Sequence, residues 1–172
     1  LTDDPAADHS PYWAPNGRQI AFVSSRTGNA DVWLADLDVT DDTRFKNLSN
    51  TPQAEESHPA YSFDGAQLLW TCVYQSIGYN GIYLWDTSDF TRPAHWIGDG
   101  NWAAWNSRAD QVIAIINEPN RQYLTSYTTD GNLILSPEPL KGYVRGLLWP
   151  HGTITGSSLQ VFKQAADSTP PP

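Results

Sequence analysis

Short runs of apolar residues, each following an aromatic residue and a turn, recur along the chain. The clearest pair is WAPNGRQIAFVS, which starts at Trp13, and YSFDGAQLLWTC, which starts at Tyr61. Two further copies start at Trp105 and Trp149, so the intervals between these aromatic anchors are 48, 44 and 44 residues. An internal period of about 40–50 residues is typical of solenoids, propellers and other repeat arrays.

Within one period, turn residues separate four short apolar runs, which predicts four strands. After Trp13 the turn reads APNG, in which proline presets φ and glycine accepts a positive φ. The predicted strands are residues 9–13, 19–24, 31–35 and 45–48, then 59–61, 67–73, 82–85 and 94–97, then 103–105, 111–116, 123–127 and 133–135, and finally 146–149, 153–155 and 159–162. No segment keeps a 3.6-residue period, which predicts almost no helix.

Four-stranded antiparallel units at this spacing are the blades of a β-propeller. The prediction is therefore an all-β propeller chain with about 3.5 to 4 visible blades. The predicted blades are residues 8–56, 57–100, 101–141 and 142–166, followed by a Pro-rich tail or linker at 167–172. Because a blade buries its faces only against its neighbours, the anchors are expected to pack between blades.

Composition narrows the classes of partner and chemistry. The 172-residue chain has a net charge of −9, which argues against nucleic acid as a partner. It has no apolar stretch near the roughly 18 residues of a membrane span, so none is predicted. The one cysteine, Cys72, lies in the strand-like run LLWTCVY and is interpreted as a small buried hydrophobe.

The chain lacks the motifs of familiar catalytic and metal sites. It has no G-x-S-x-G, and its four histidines are scattered among the repeats. Residues 36–47 resemble a calcium loop, but Asp41 replaces the required glycine and Asn47 the required glutamate. We therefore predict no catalytic constellation, no metal and no cofactor.

The residues at the start of each predicted innermost strand are the candidate binding residues. In a propeller these positions converge at the mouth of the central channel. The set comprises Asp8, His9, Glu55, Glu56, His58, Asn101 and Trp102. Two interpretations stay open: they are polar residues of connecting loops, or they form an acidic, partly aromatic rim that binds a cation, a basic peptide or a sugar.

The first repeat resembles a known family. LTDDPAADHSPYWAPNGRQIAFVSSRTGNADVWLADL, residues 1–37, is similar to the TolB-type propeller repeat, also called the WD40-like or PD40 repeat. The resemblance is strong over residues 1–71 and fades through 72–116. It implies a propeller in which these blades are part of a larger ring, and also that Leu1 and Thr2 close a blade preceding the first complete one. The family covers periplasmic translocation proteins, propeller domains of prolyl-oligopeptidase-like enzymes and many secreted multidomain proteins.

The resemblance, with the missing motifs, implies a non-catalytic scaffold that binds a protein or ligand in an extracytoplasmic bacterial protein. A protein partner is expected, and self-association would cover open blade faces. One alternative is the propeller portion of a secreted peptidase or hydrolase whose catalytic domain lies outside this chain. Another is a glycan-binding module that uses Trp102.

Overall fold

The computed structural model describes residues 2–75 and 79–147, which form three four-stranded antiparallel sheets. Sheet I consists of β1 (Asp8–Trp13), β2 (Gln19–Ser24), β3 (Asp31–Asp36) and β4 (Phe45–Asn47). Sheet II consists of β5 (Ala54–Tyr61), β6 (Gln67–Tyr74), β7 (Tyr79–Asp86) and β8 (His95–Asp99). Sheet III consists of β9 (Trp102–Trp105), β10 (Gln111–Glu118), β11 (Arg121–Thr128) and β12 (Leu133–Pro139). Each sheet is a meander whose strands follow chain order.

The turn that follows the first strand has the same form in all three sheets, although sheet III has alanine where the other two have glycine. Gly17 at φ 69° and Gly65 at φ 75° close the turns of sheets I and II in the left-handed region that suits glycine. In sheet III the same place is taken by Ala109 at φ 59°, whose N–H still donates to the Asn106 carbonyl at 3.2 Å. The repeat therefore keeps its turn after losing the glycine, at some steric cost to the backbone.

The sheets pack face to face in chain order, with an apolar core at each junction. The core between sheets I and II includes Val32, Leu34, Leu68 and Trp85. The core between sheets II and III is formed by Leu69, Ile82, Leu84, Ile97, Ala103, Trp105, Val112, Ala114 and Tyr127. Stacked four-stranded blades of this kind are the repeating unit of a propeller. The all-β propeller prediction is confirmed.

The anchors show which way each sheet faces. Tyr61 of sheet II is 3% exposed and lies in the core with sheet I, and Trp105 of sheet III is 9% exposed and lies in the core with sheet II. The packing prediction holds for these two, whereas Trp13 is 57% exposed in the described part of the chain. An anchor packs on the preceding sheet, and the described residues place no sheet before sheet I. Trp149 lies outside the described residues.

Strand boundaries differ from the prediction mainly at polar residues. β5 begins at Ala54, so the predicted blade boundary between residues 56 and 57 falls inside it. β12 continues to Pro139, beyond the predicted end at residue 135. Residues 146 and 147 are not in a strand, and the rest of the predicted fourth blade and the tail lie outside the described residues.

Helix is as scarce in the described part of the chain as the sequence predicts, with one 3₁₀ turn at Asp42–Arg44. None of the helical structure in residues 2–75 and 79–147 is long and apolar enough to cross a membrane.

Candidate functional site: a groove along the inner strands

A groove of about 720 Å³ runs across the first strands of the three sheets. We call it the inner-strand groove; β1, β5, β9 and the turns that follow them form its walls. Large side chains dominate its lining: Tyr12, Trp13, His58, Phe63, Trp102 and Trp105. The lining residues that the structure describes include no Asp, Glu, Lys or Arg. The groove is thus an uncharged surface on a chain whose net charge is −9.

Bulges shape two of the three groove strands. The β1–β2 register shifts between His9 and Tyr12, and the β5–β6 register shifts between Ser57 and Ala60. The bulged residues, Ser10 at φ 52° and His58 at φ 54°, stand three positions before their anchors, and a proline follows each. A bulge bends its strand and redirects a side chain. β9 pairs with β10 without a shift.

A stacked pair of rings forms one wall of the groove. The imidazole of His58 lies on the indole of Trp102, with ring centroids 4.0 Å apart and planes 28° from parallel. Nδ1 of His58 also lies 3.4 Å from the Thr71 hydroxyl. Burial, with the nearby His9, lowers the pKa of His58, so the neutral ring is favoured. The pair therefore presents a flat, uncharged platform that joins sheet II to sheet III.

Exposed aromatic rings form another part of the groove lining. Tyr12 is 44% exposed, Trp13 57% and Phe63 58%, which is unusual for large apolar side chains grouped on one surface. Tyr12 approaches the buried Tyr61 with ring centroids 6.4 Å apart. This accessible apolar area is what a binding partner would cover.

Of the seven predicted rim residues, the structure brings three together. His58 and Trp102 line the groove. His9 is exposed, with Nδ1 3.0 Å from the Ser10 hydroxyl, and it lies close enough to His58 to lower that residue's pKa. These three are the part of the predicted set that could contact a ligand.

The other four hold the fold together. Asp8 forms an ion pair with Arg26 at 3.1 Å. The Glu55 carboxylate accepts hydrogen bonds from the Ala30 N–H at 2.8 Å and the Gln75 side-chain amide at 2.9 Å. Asn101 Oδ1 accepts from the Asn117 N–H at 2.7 Å. Glu56 is 2% exposed and lies between sheets I and II.

Sequence reasoning missed the aromatic part of the groove. Trp13 was assigned to an interface between blades because its counterparts pack there, and Tyr12 and Phe63 were not singled out. One signal was available: Tyr12 and Trp13 directly follow Pro11, and Phe63 follows the next anchor by two residues. Aromatic side chains grouped around the turns that follow the first strands indicate an exposed apolar surface.

Metal chemistry has little support in the described residues. Within them, no group of three or more His, Cys, Asp or Glu side chains could hold an ion. The calcium-like loop uses its carboxylates internally: Asp36 Oδ1 accepts from the Asp38 N–H at 3.0 Å, and Asp41 Oδ1 accepts from the Thr43 N–H at 2.9 Å. These bonds are turn and capping interactions.

No protein-family model matches the sequence, and no curated protein matches it. Solved structures do. A putative TolB from Agrobacterium tumefaciens is 16% identical, with a TM-score of 0.58 over 81% of this chain and 50% of that one. The β-propeller domain of the Trilobed protease from Pyrococcus furiosus is 15% identical, with a TM-score of 0.57 over 78% of this chain and 43% of that one.

A lyase extends the comparison. Oligogalacturonate lyase from Vibrio parahaemolyticus is 13% identical, with a TM-score of 0.55 over 77% of this chain and 36% of that one. The chain thus spans half or less of the length of these three structures. At such identities the likeness concerns the fold, and what it shows is a partial β-propeller similar to that of TolB.

Proposed function

We propose that this chain is part of a TolB-like propeller and acts as a non-catalytic binding scaffold in an extracytoplasmic bacterial protein. The observation that carries the proposal is the inner-strand groove, with its exposed rings and uncharged lining. Aromatic residues are enriched, and charged residues depleted, in the cores of protein–protein interfaces. The groove therefore suits an apolar or aromatic segment of a partner protein.

The residues that line the groove favour fewer classes of ligand than the sequence analysis did. An acidic rim would have favoured a cation or a basic peptide. Glu55 and Glu56 are instead engaged between sheets I and II, and no carboxylate is among the described lining residues. A ligand is therefore held by ring contacts and by hydrogen bonds to groups such as the Ser107 side chain.

Trp13 supports a second part of the proposal, that sheet I packs against a further sheet. Its counterparts Tyr61 and Trp105 are buried against the preceding sheet, whereas Trp13 is 57% exposed. Either an additional blade or a second copy of this chain would cover it. Light scattering over a range of concentrations separates the two, because only self-association gives a mass that rises with concentration and falls in Trp13→Arg.

Glycan binding is the second candidate, and the His58–Trp102 platform favours it. Sugars stack on flat aromatic faces, and the ring pair offers such a face beside polar groups. A hydrolase parent remains the enzymatic alternative, supported by similarity to a protease propeller domain. A peptidase or lyase domain encoded beside this chain in the same gene would favour it over the scaffold.

The test is a peptide phage library panned on the immobilised chain, with a glycan array run in parallel. We expect enriched peptides rich in apolar and aromatic residues, whose binding weakens at least about tenfold in Trp102→Ala, the loss of about 1.4 kcal/mol of contact. Trp96→Ala is the matched control, since Trp96 is 45% exposed but lies on the outer strand β8.

Three results would count against the scaffold. Enriched peptides that bind Trp102→Ala as well as the wild type would place binding outside the groove. Glycan binding that depends on Trp102, without any peptide binding, would favour the carbohydrate candidate. No enrichment over the bare support would reject the groove as a peptide site.

A further inference from the structure

The hydroxyl of Ser49 lies between two buried carboxylates at the junction of sheets I and II. Ser49 Oγ is 3.2 Å from Asp31 Oδ1 and 3.1 Å from Glu56 Oε2. It also accepts a hydrogen bond from the Val32 N–H at 2.9 Å. Asp31 is 1% exposed and Glu56 2%, and both carboxyls contact the Ser49 hydroxyl directly.

The hydrogen atoms available at Ser49 indicate that one of the two neighbouring carboxyl groups is protonated. A hydroxyl has one hydrogen and two acceptor lone pairs. The Val32 N–H occupies one lone pair of Ser49, and the single hydrogen serves one carboxylate. The second carboxylate oxygen then faces a lone pair at close range, unless that carboxyl is protonated and donates to Ser49.

The partners of each carboxyl identify Glu56 as the protonated one. Asp31 has its own donors, as an ionised carboxylate requires: the Thr27 hydroxyl at 2.5 Å, the Asn47 amide at 2.7 Å and the Thr51 N–H at 3.2 Å. Apart from Ser49 and Asp31 itself, the Glu56 carboxyl has one weak partner, the Cys72 thiol at 3.6 Å. Burial acts to raise the pKa of Asp31, but these donors outweigh it and lower it. Burial raises the pKa of Glu56 to about 7, and the neighbouring Asp31 adds to the rise.

The equivalent position in sheet I shows what Glu56 lacks. Asp8 stands opposite Ser24 in sheet I as Glu56 stands opposite Cys72 in sheet II. Asp8 has Arg26, two residues beyond Ser24, as its ion-pair partner. The residue two beyond Cys72 is Tyr74, and Glu56 has no ion-pair partner within residues 2–75 and 79–147.

The groups around Glu56 are therefore neutral or acidic. Asp31 faces it from β3, and Cys72, with Tyr74 beyond it, faces it from β6. On its own strand, Glu55 is turned to the Ala30 N–H and Gln75, and His58 is turned to Trp102. Burial and the Glu56 carboxyl raise the pKa of the Cys72 thiol to about 12, so Asp31 is the negative charge that Glu56 meets.

We propose that Asp31, Ser49 and Glu56 share one buried proton that holds sheet II against sheet I, and that the junction loosens when this proton leaves for bulk water. The Glu56 N–H donates to the Ala30 carbonyl at 2.8 Å, so the carboxyl lies beside a backbone link between the sheets. Loss of the proton leaves two adjacent buried anions, which is costly. This inference does not depend on the proposed function.

The sign of the pH dependence follows from linkage. The folded chain holds a proton on Glu56 between the ordinary carboxyl pKa of 4.5 and the raised value of about 7. Within this window the folded state binds more protons than the unfolded state, so stability falls as pH rises. The stabilisation is fully present below 4.5 and fully lost above 7.

The experiment is thermal unfolding of the 172-residue chain at pH 5 and pH 8, as wild type and as Glu56→Gln. The glutamine amide donates to Ser49 as the protonated carboxyl does, whatever the pH. We expect the Tm of Glu56→Gln relative to wild type to rise by about 5 °C or more from pH 5 to pH 8. The difference between the two chains removes the contribution of other titrating groups, such as His58.

Glu55→Gln is the matched control, since it makes the same substitution one residue away and keeps an oxygen to accept from Ala30. It loses the hydrogen bond from the Gln75 amide, so its Tm should differ from that of the wild type by the same amount at both pH values. A constant difference between Glu56→Gln and wild type would overturn the proposal. If Glu56→Gln does not fold, infrared spectroscopy of the wild type decides: a protonated carboxyl band present at pH 6 and lost by pH 8 supports the shared proton, and its absence at pH 6 overturns it.

Discussion

Trp13 and Trp105 occupy the same place in their repeats but meet opposite surroundings. Trp105 is 9% exposed, packs in the core between sheets II and III, and donates its Nε1–H to the Ala60 carbonyl at 2.9 Å. Trp13 is 57% exposed on the first sheet. The residue is the same, so the difference lies in the neighbour. A repeat sequence specifies which face a side chain takes, while the preceding sheet determines whether that face is buried.

The largest expected effect on stability is at Trp105, the buried anchor. Trp105→Ala removes a buried indole and leaves the Ala60 carbonyl without its donor. Substitutions of this type cost about 3–5 kcal/mol of unfolding free energy. Urea denaturation measures the loss. A cost below about 1 kcal/mol would mean that the junction of sheets II and III does not depend on its anchor.

The second effect concerns how closely sheets II and III approach. Gly98 lies directly against the Tyr127 ring, and an added Cβ would overlap it. Gly98→Ala is therefore expected to cost about 1–3 kcal/mol by overpacking. Gly146→Ala is the control, because the nearest atom to its Cβ would be Trp102 Cζ2 at 3.9 Å, an ordinary contact. Equal stabilities of the two variants would contradict the close packing.

The third effect compares Trp105 with the anchor of sheet II. The Tyr61 hydroxyl is buried and has no hydrogen-bond partner in the described residues, whereas the Trp105 N–H has one. Burying an unpaired hydroxyl is unfavourable, so Tyr61→Phe should raise the unfolding free energy by about 1 kcal/mol. Chemical denaturation tests this. A clear loss of stability would show that the hydroxyl has a partner.

The smallest expected effect on stability is at Trp13, the exposed anchor. Trp13→Ala removes a ring that is more than half in solvent, so the unfolding free energy should change by no more than about 0.5 kcal/mol. The measurement is made at a protein concentration where the chain is monomeric. A loss approaching that of Trp105→Ala would mean that Trp13 is buried in solution.

The repeat made much of the fold predictable from sequence. β2 begins and ends at the predicted residues, Gln19 and Ser24, because an unbroken apolar run between turns marks a buried strand. The predicted strand at 59–61 starts later than β5 does, because the charged residues Glu55 and Glu56 do not look like part of a buried strand. Their burial depends on Ala30 and Ser49, contacts between sheets that no local pattern reveals.

The candidate site was less predictable for the same reason. His58 and Trp102 were identified from their places before the anchors, and the structure stacks them. Asp8 was identified from the same stretch of its repeat but is paired with Arg26. Whether a polar residue faces a ligand or a partner inside the fold depends on residues distant in sequence. Trp13 was assigned to a buried interface because sequence periodicity does not say which faces are covered.

Hydroxyl-radical footprinting read by mass spectrometry compares the two anchors in one sample. It reports the solvent exposure of each tryptophan in the native chain, without substitution. Trp13 should be oxidised several-fold faster than Trp105, as expected from exposures of 57% and 9%. Equal protection of Trp13 and Trp105 in the monomeric chain would contradict the assignment of an open face to sheet I and a closed one to sheet III.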